Sequence, residues 1–495
     1  MSTQLSRLST LLFACFCIVT EVHSEEFAVI GSRQMGMGGA GVAVTRGAMG
    51  SYWNPAGFAP PKETRVDTFW DLAIPASVNA AAVGSVLDDL DDIADLSGEI
   101  GDFNDLEDTL DDPGTQLNDA ELQRILRLVD ELNGIGGGGT GLVTNSSVGV
   151  AARVWYFGFS ALALAYAGGV TEVDLNNLAL GDEGLTGAIG GGNDRSGQLS
   201  AGGQTFADSL AAQGLATQNQ AEEIVFQAEQ GGVSVTDSAF QQNVTTLLDS
   251  TQDNIGGDLN EFFSQNQSGV NLRGIIVQEY GVSFAYPFFD IVSVGATAKL
   301  LYGMTYFQPL TLSTIENSDD LAGELLDSDN VNESVNYGID LGVLLQPFEI
   351  LSLGVVARNI NRPRFDFDGP GDYTLEPQLR GGVGFEIPYT GLLLAVDIDL
   401  VENNSEALVG YESQVVGGGI EWVALDILML RVGASKNLSR SDESMQVHAG
   451  LGLRLAKVQI EIAGSMSPDF AEIGGNDVPE RAGGSLFLGI NVPLD

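Results

Sequence analysis

Val335-Asn336-Tyr337-Gly338-Ile339-Asp340-Leu341-Gly342-Val343-Leu344-Leu345-Gln346 is the stretch that decides the fold class. Val335, Tyr337, Ile339, Leu341, Val343 and Leu345 fall on one face, and Asn336, Gly338, Asp340, Gly342 and Gln346 on the other. A period of two means a β-strand with one apolar side. The pattern returns in 392–400, with Asp397 and Asp399 on the polar face, and in 447–455, with His448 and Arg454 there. A soluble sandwich also alternates, so the links between strands must separate the two. Tight links near 154–156, 286–291, 347–350, 388–391, 423–426 and 456–457 alternate with longer ones at 76–146, 168–273, 309–334, 361–376, 402–412, 437–443 and 466–480. That parity puts every short turn at one rim and every long loop at the other, as in an up-and-down transmembrane barrel. Counting from a strand near 63–74 to one near 482–493 gives about fourteen antiparallel strands, with both chain ends on the short-turn side. Trp155, Tyr156, Phe157, Tyr286, Phe288, Phe289, Phe348, Tyr389 and Trp422 gather near the short turns, where a membrane interface favours aromatic rings.

The rest of the chain fits an exported all-β membrane protein. Arg7, the apolar run 11–20 and Val22-His23-Ser24 read as a secretory signal over 1–24, cleaved before Glu25. Beyond it no stretch is apolar for the roughly 20 residues a membrane helix needs. The reading divides the chain into a signal (1–24), an N-terminal plug (25–58) and a barrel (59–495) carrying inserts at 76–146 and 168–273.

The net charge of -46 excludes nucleic acid as a partner, since like charges repel. Residues 86–132 carry sixteen acidic side chains against Arg124 and Arg127, and 170–270 carry fourteen against Arg195. The charge therefore belongs to the long loops more than to the barrel. Spacing predicts amphipathic helices there at 86–96, at 117–132 with Asn118 and Glu121 as a capping box, and at 236–248. The acidic run 88–92 has no EF-hand pattern and reads as a solvated face.

Chemistry is sparse. Gly36-Met37-Gly38-Gly39-Ala40-Gly41 spells a dinucleotide fingerprint, but the strand and helix that make it work are missing. Gly36, Gly38, Gly39 and Gly41 instead suit close backbone packing inside a pore, with Asn54-Pro55 forming a fixed turn. Both cysteines, Cys15 and Cys17, lie in the signal, and His448 is the single histidine after it. No catalytic constellation, metal site or cofactor is expected. The inferred inward face carries Lys299, Asp340, Arg358, Arg380, Glu386, Asp397, Asp399, Glu421, Arg431, His448, Arg454 and Glu461. Leu301, Leu344, Val356, Val415, Ile427 and Met429 share it. Such a set either cross-links the interior or lines a hydrated route.

Residues 31–44, Gly31-Ser32-Arg33-Gln34-Met35-Gly36 through Val44, followed by Ser51-Tyr52-Trp53-Asn54-Pro55-Ala56-Gly57, resemble the opening of FadL-like outer-membrane proteins. The stretches 337–342, 357–365, 378–382 and 395–400 resemble, within that superfamily, the plasmid-transfer-operon TraF type. The resemblance implies a fourteen-stranded outer-membrane barrel with a glycine-rich hatch folded into it. It implies either passage or binding of small hydrophobic molecules, or a structural role in a conjugation or secretion assembly. Expected partners are outer-membrane lipid and lipopolysaccharide, a small hydrophobic ligand, and envelope components at the acidic loops. The chain ends Asn491-Val492-Pro493-Leu494-Asp495, without the terminal aromatic common in outer-membrane strands.

Overall fold

Fourteen strands close into one antiparallel barrel, each paired with its neighbours in sequence and the last with the first. They are β1 Thr68–Val83, β2 Gly141–Val154, β3 Phe157–Glu172, β4 Gly269–Phe288, β5 Val292–Thr311, β6 Val331–Phe348 and β7 Leu351–Arg358. The circle continues with β8 Gln378–Ile387, β9 Leu392–Asp399, β10 Val415–Ala424, β11 Leu428–Asn437, β12 Gln446–Leu455, β13 Val458–Met466 and β14 Arg481–Pro493. This computed structural model describes residues 24–59, 68–84, 86, 118–134, 140–172, 186, 189–253, 269–288, 291–311, 331–368, 372–473 and 476–493. All but Ser24 of the signal expected at 1–24, and nearly all of the helix expected at 86–96, lie outside them.

Alternation sets the two faces. Along β6, Val335, Tyr337 and Leu341 are exposed on the outside, while Asp340, Gly342, Leu344 and Gln346 are buried inside. The outer wall is apolar throughout, including Val282, Leu300, Val396, Val432, Ile460 and Leu486. With no edge and no unpaired backbone row, the closed sheet satisfies the condition for crossing hydrocarbon. At the short-turn rim Trp155, Tyr286, Phe348, Tyr389 and Trp422 project outward as the interface belt. Several short turns hold non-glycine residues in the left-handed region, Trp155, Tyr389, Leu425, Asp426 and Ala456 among them, which matches the twist of tight hairpins.

The bounds of both inserts differ from the sequence reading at each end. β1 runs on to Val83 and β2 begins at Gly141, so 76–83 and 141–146 are strand rather than insert. Likewise β3 extends to Glu172 and β4 starts at Gly269. Beyond the membrane both faces meet water or loop, so the ladder persists after the apolar alternation that marks it has faded.

The inserts carry helices. After the short helices α1 Ser32–Gly36 and α2 Gly50–Trp53 of the N-terminal segment come α3 Asp119–Gly134, α4 Ala201–Gln213, α5 Gln218–Gln230 and α6 Ser238–Asp253. Asn118 caps α3 by accepting from the amides of Ala120 and Glu121, while Glu121 accepts from the Asn118 amide. Leu122, Leu126 and Val129 of α3 pack with Phe206, Leu210, Ile224, Val225, Phe240, Val244 and Leu247 of the other three into a dry core. The helix anticipated at 236–248 is α6, begun by Asp237 accepting from Ala239 and Phe240. Helices α4 and α5 were not anticipated: Gly202-Gly203 and a Gln-rich, weakly periodic sequence hide them, although Thr217 and Gln220 form a capping box.

Candidate functional site: the filled lumen

Residues 24–59 lie inside the barrel. Ser24 and Glu25 sit at the long-loop end, where Gln378 donates to the Glu25 carbonyl at 2.7 Å. Phe58 and Ala59 pack on Ala285 near the short turns. Between these ends Phe27, Tyr52 and Trp53 stack on one another with centroids 5.3–5.8 Å apart. The polar tips of the last two are satisfied within the segment, Tyr52 Oη donating to Ala28 O and Trp53 Nε1 to Ile30 O.

Close approach explains the glycines. Gly38 has φ +68°, and a Cβ there would stand 2.4 Å from the Ala434 carbonyl oxygen of β11. The wall is notched to match, since a Cβ at Gly417 would lie 1.8 Å from the Gly38 carbonyl oxygen. Gly36 meets Gly450 in the same way, Gly41 is covered by the Trp53 ring, and Gly39 faces Arg380. Asn54 Nδ2 donates to Val42 O and to Val343 O of β6, and its Oδ1 accepts from Ala56, fixing the turn that Pro55 begins.

Three buried ionic groups tie this segment to the wall. In the first, Lys299 contacts Glu279 at 3.2 Å and Asp340 at 3.0 Å, and Arg358 contacts Glu279 at 2.9 Å. The Arg358 guanidinium lies 3.9 Å over the Tyr52 ring, so this neutral quartet touches the segment through a cation–π contact. In the second, Asp397 Oδ2 accepts from Gly41 and Val42 at 2.7 and 2.8 Å. Arg380 spans Asp397, Asp399 and the Gly39 carbonyl. In the third, Glu421 bridges Arg33 and Arg431 at 2.7 Å each, and Arg431 reaches Glu461 at 2.9 Å.

His448 is buried beside Ser435, 2.8 Å from its hydroxyl, on the same inner wall. Arg454 donates to Gln459 at 3.4 Å. One member of the inferred inward face is placed differently. Ile427 falls in the 425–427 turn and is exposed, because the hairpin ends the alternation before it. Glu386, next to last in β8, keeps the inward parity of Gly384 and is exposed at the short-turn mouth near Arg33 and Arg46. The sequence reading missed Glu279, Arg33, Asp71 and Arg153. Asp71 and Arg153 are register partners across β1 and β2 and pair at 2.6 Å, so correct strand register alone would have found them.

Not all of the inner wall is polar. Leu162, Leu164, Tyr166, Ile275, Val277, Leu301 and Val356 face inward and pack on Phe27, Tyr52 and Trp53. Toward the outer end this surface continues through Phe365, Tyr373 and Leu375 of an infolded loop, with Arg273 4.4 Å over the Phe367 ring. Glu25 fastens that end: its carboxylate accepts from Tyr373 Oη, Ser405 Oγ and the amides of Glu406 and Ala407.

Among solved structures, the chain is similar to the Pseudomonas putida toluene transporter TodX, at 12% identity and TM-score 0.43 over 94% of this chain and 99% of that one. It is similar to the Ralstonia pickettii toluene transporter TbuX at 11% and 0.44 over 93% and 98%, and to a Pseudomonas aeruginosa FadL homologue at 11% and 0.41 over 96% and 99%. No curated protein matches the sequence. Residues 51–399 match the model of the family described as F plasmid transfer operon, TraF, protein, and the chain belongs to that family.

Proposed function

We propose that the protein binds or passes small hydrophobic molecules through an outer-membrane barrel that residues 25–58 keep closed to ions. The observation that carries this reading is the apolar strip of inner wall on β3, β4, β5 and β7. A water-filled porin keeps its interior polar, whereas this strip offers a dry surface from the infolded outer loop to the aromatic stack. The charged quartet and its neighbours are mutually paired, so they hold the segment without demanding a charged cargo. On this reading the barrel performs no catalysis and needs no cofactor, and its lasting contacts are with lipid and lipopolysaccharide.

Two measurements test the reading. The intact protein in a planar bilayer should show small, sporadic conductance, and deletion of 25–58 should raise it markedly. Cells producing it should take up a neutral monoaromatic compound faster than cells without it. Large steady conductance unchanged by the deletion would make the protein a general porin.

A second reading has its own support, the ordered helical insert between strongly acidic loop segments on the long-loop side. It suits a structural component whose surface meets an envelope partner. Protease added to intact cells should cut within 86–132 and 170–270 and spare 280–495. Cleavage at 388–391 instead would invert the topology and sink this reading.

A further inference from the structure

The lumen has a second chamber, away from the apolar strip. A cavity of about 220 Å³ lies at the short-turn mouth, beneath the N-terminal segment and between β1 and the strands β10 to β14. Four guanidinium groups line it, those of Arg33, Arg46, Arg431 and Arg454, with the carboxylates of Asp71, Glu421 and Glu461. Asp71 is already committed to Arg153 and the Ala48 amide. Four cations therefore face two carboxylates in the lining, with Glu386 close enough to act on Arg33 and Arg46 from the rim.

The surplus is visible atom by atom. Arg46 donates only to the carbonyls of Ala43 and Thr45 and to Ser352 Oγ, and Arg454 only to Gln459 and the Met429 sulfur. Among the described residues neither has a carboxylate at ion-pair distance. Arg431, 2% exposed, leaves its Nη1 with no hydrogen-bond partner at all. A buried donor left unpaired costs about 1–3 kcal/mol, more for a charged group, so a chamber built this way favours an anion. The rest of the lining is mixed: Met49, Val423 and Phe487 are apolar, and Gln34, Gln459 and Asn491 are polar. A cavity of about 150 Å³ already accommodates benzene.

We propose that this chamber binds a small organic acid, its carboxylate on Arg46, Arg431 and Arg454 and its apolar body against Met49 and Phe487. The site faces the periplasm and stands independently of whether the barrel transports anything. Its size admits a single ring or a short chain.

Calorimetric titration of the purified full-length protein tests it with three probes: benzoate, benzyl alcohol and inorganic phosphate. Benzoate should bind saturably, and benzyl alcohol and phosphate at least about tenfold more weakly, each lacking one half of the recognition. Arg46→Gln and Arg454→Gln should each weaken benzoate about tenfold, the loss of one charge-assisted hydrogen bond, while Arg454→Lys retains most of the affinity. Heat-modifiable migration in a gel shows whether each variant is a folded barrel, and the lysine variant keeps the test valid if a glutamine variant misfolds. Equal affinity for benzoate and benzyl alcohol, or benzoate binding indifferent to both glutamine variants, overturns the proposal. Phosphate binding as tightly as benzoate overturns the organic acid. Bilayer conductance is not expected to change with benzoate binding, so the outcome is separable from that of the closed-barrel reading.

Discussion

The N-terminal segment and the helical insert are both additions to the same barrel, and they are held in opposite ways. The segment has little core of its own and borrows one, with its aromatic stack lying on inward residues of β3, β4, β5 and β7. Its backbone fits glycine notches in the wall, and its amides end on Asp397. The insert's core holds only residues of the two long loops, and its polar contacts close on themselves, as in Gln123 donating to Gln227 at 2.7 Å. One region is a component of the barrel's interior; the other is a small domain that the barrel displays. A change in the first should be read in the pore, and a change in the second should stop at the loops.

Arg358→Ala probes that division most strongly. It leaves Glu279 and Asp340 buried with Lys299 alone and strips the cation from the Tyr52 ring. The expected loss is about 3–5 kcal/mol in denaturant unfolding of the barrel, with conductance rising as the segment loosens. Unchanged unfolding would mean that the quartet is not what holds the segment. Gly38→Val should cost about 3 kcal/mol, since the new side chain meets the Ala434 carbonyl and the backbone is left-handed there. Its conductance should approach that of the 25–58 deletion.

In the insert the effects are smaller and local. Burial alone would push the Glu223 carboxyl up, yet donation from Arg195, Gln227 and Asn193 outweighs it and holds the group down at about 2. A depressed carboxyl stabilises fully above the ordinary carboxylate range and loses that contribution as pH falls through about 2. Insert helicity should therefore persist at pH 5 and decline only below about pH 4, whereas Glu223→Gln should remove this acid dependence at a cost of about 2 kcal/mol in local hydrogen exchange. Asn118→Ala should cost about 1 kcal/mol, seen in α3 and its helical neighbours. Barrel stability altered by either insert variant would erase the contrast between the two regions.

The strands were legible because lipid on one side and a filled lumen on the other impose a period of two, and residues 335–346 show it with Leu344 as the one apolar residue on the inner face. Legibility failed where one of those solvents was missing. Past Val78 in β1, Ala80, Ala81 and Ala82 carry no pattern although they pair with β2. Ile427 kept an apolar identity in a turn, where face no longer has meaning. The lumen residues were assigned to a side one by one, but their partners are on other strands or on the segment. Glu279 meets Lys299 through the register of β4 with β5, and Arg358 only because the curved wall brings β7 round to the same interior. Helices α4 and α5 were lost to glycine and glutamine, whose weak preferences the tertiary core overrides.

The seam between β1 and β14 joins Trp70 to Val492, the two ends of the barrel sequence. The chain enters β1 directly after the segment that fills the interior, so that segment precedes in synthesis every strand that surrounds it. It spans the lumen from Glu25 at the outer loops to Ala59 near the short turns, and the wall around it is a ring with no gap. The closed ring therefore leaves the segment only the two mouths of the barrel as ways in or out.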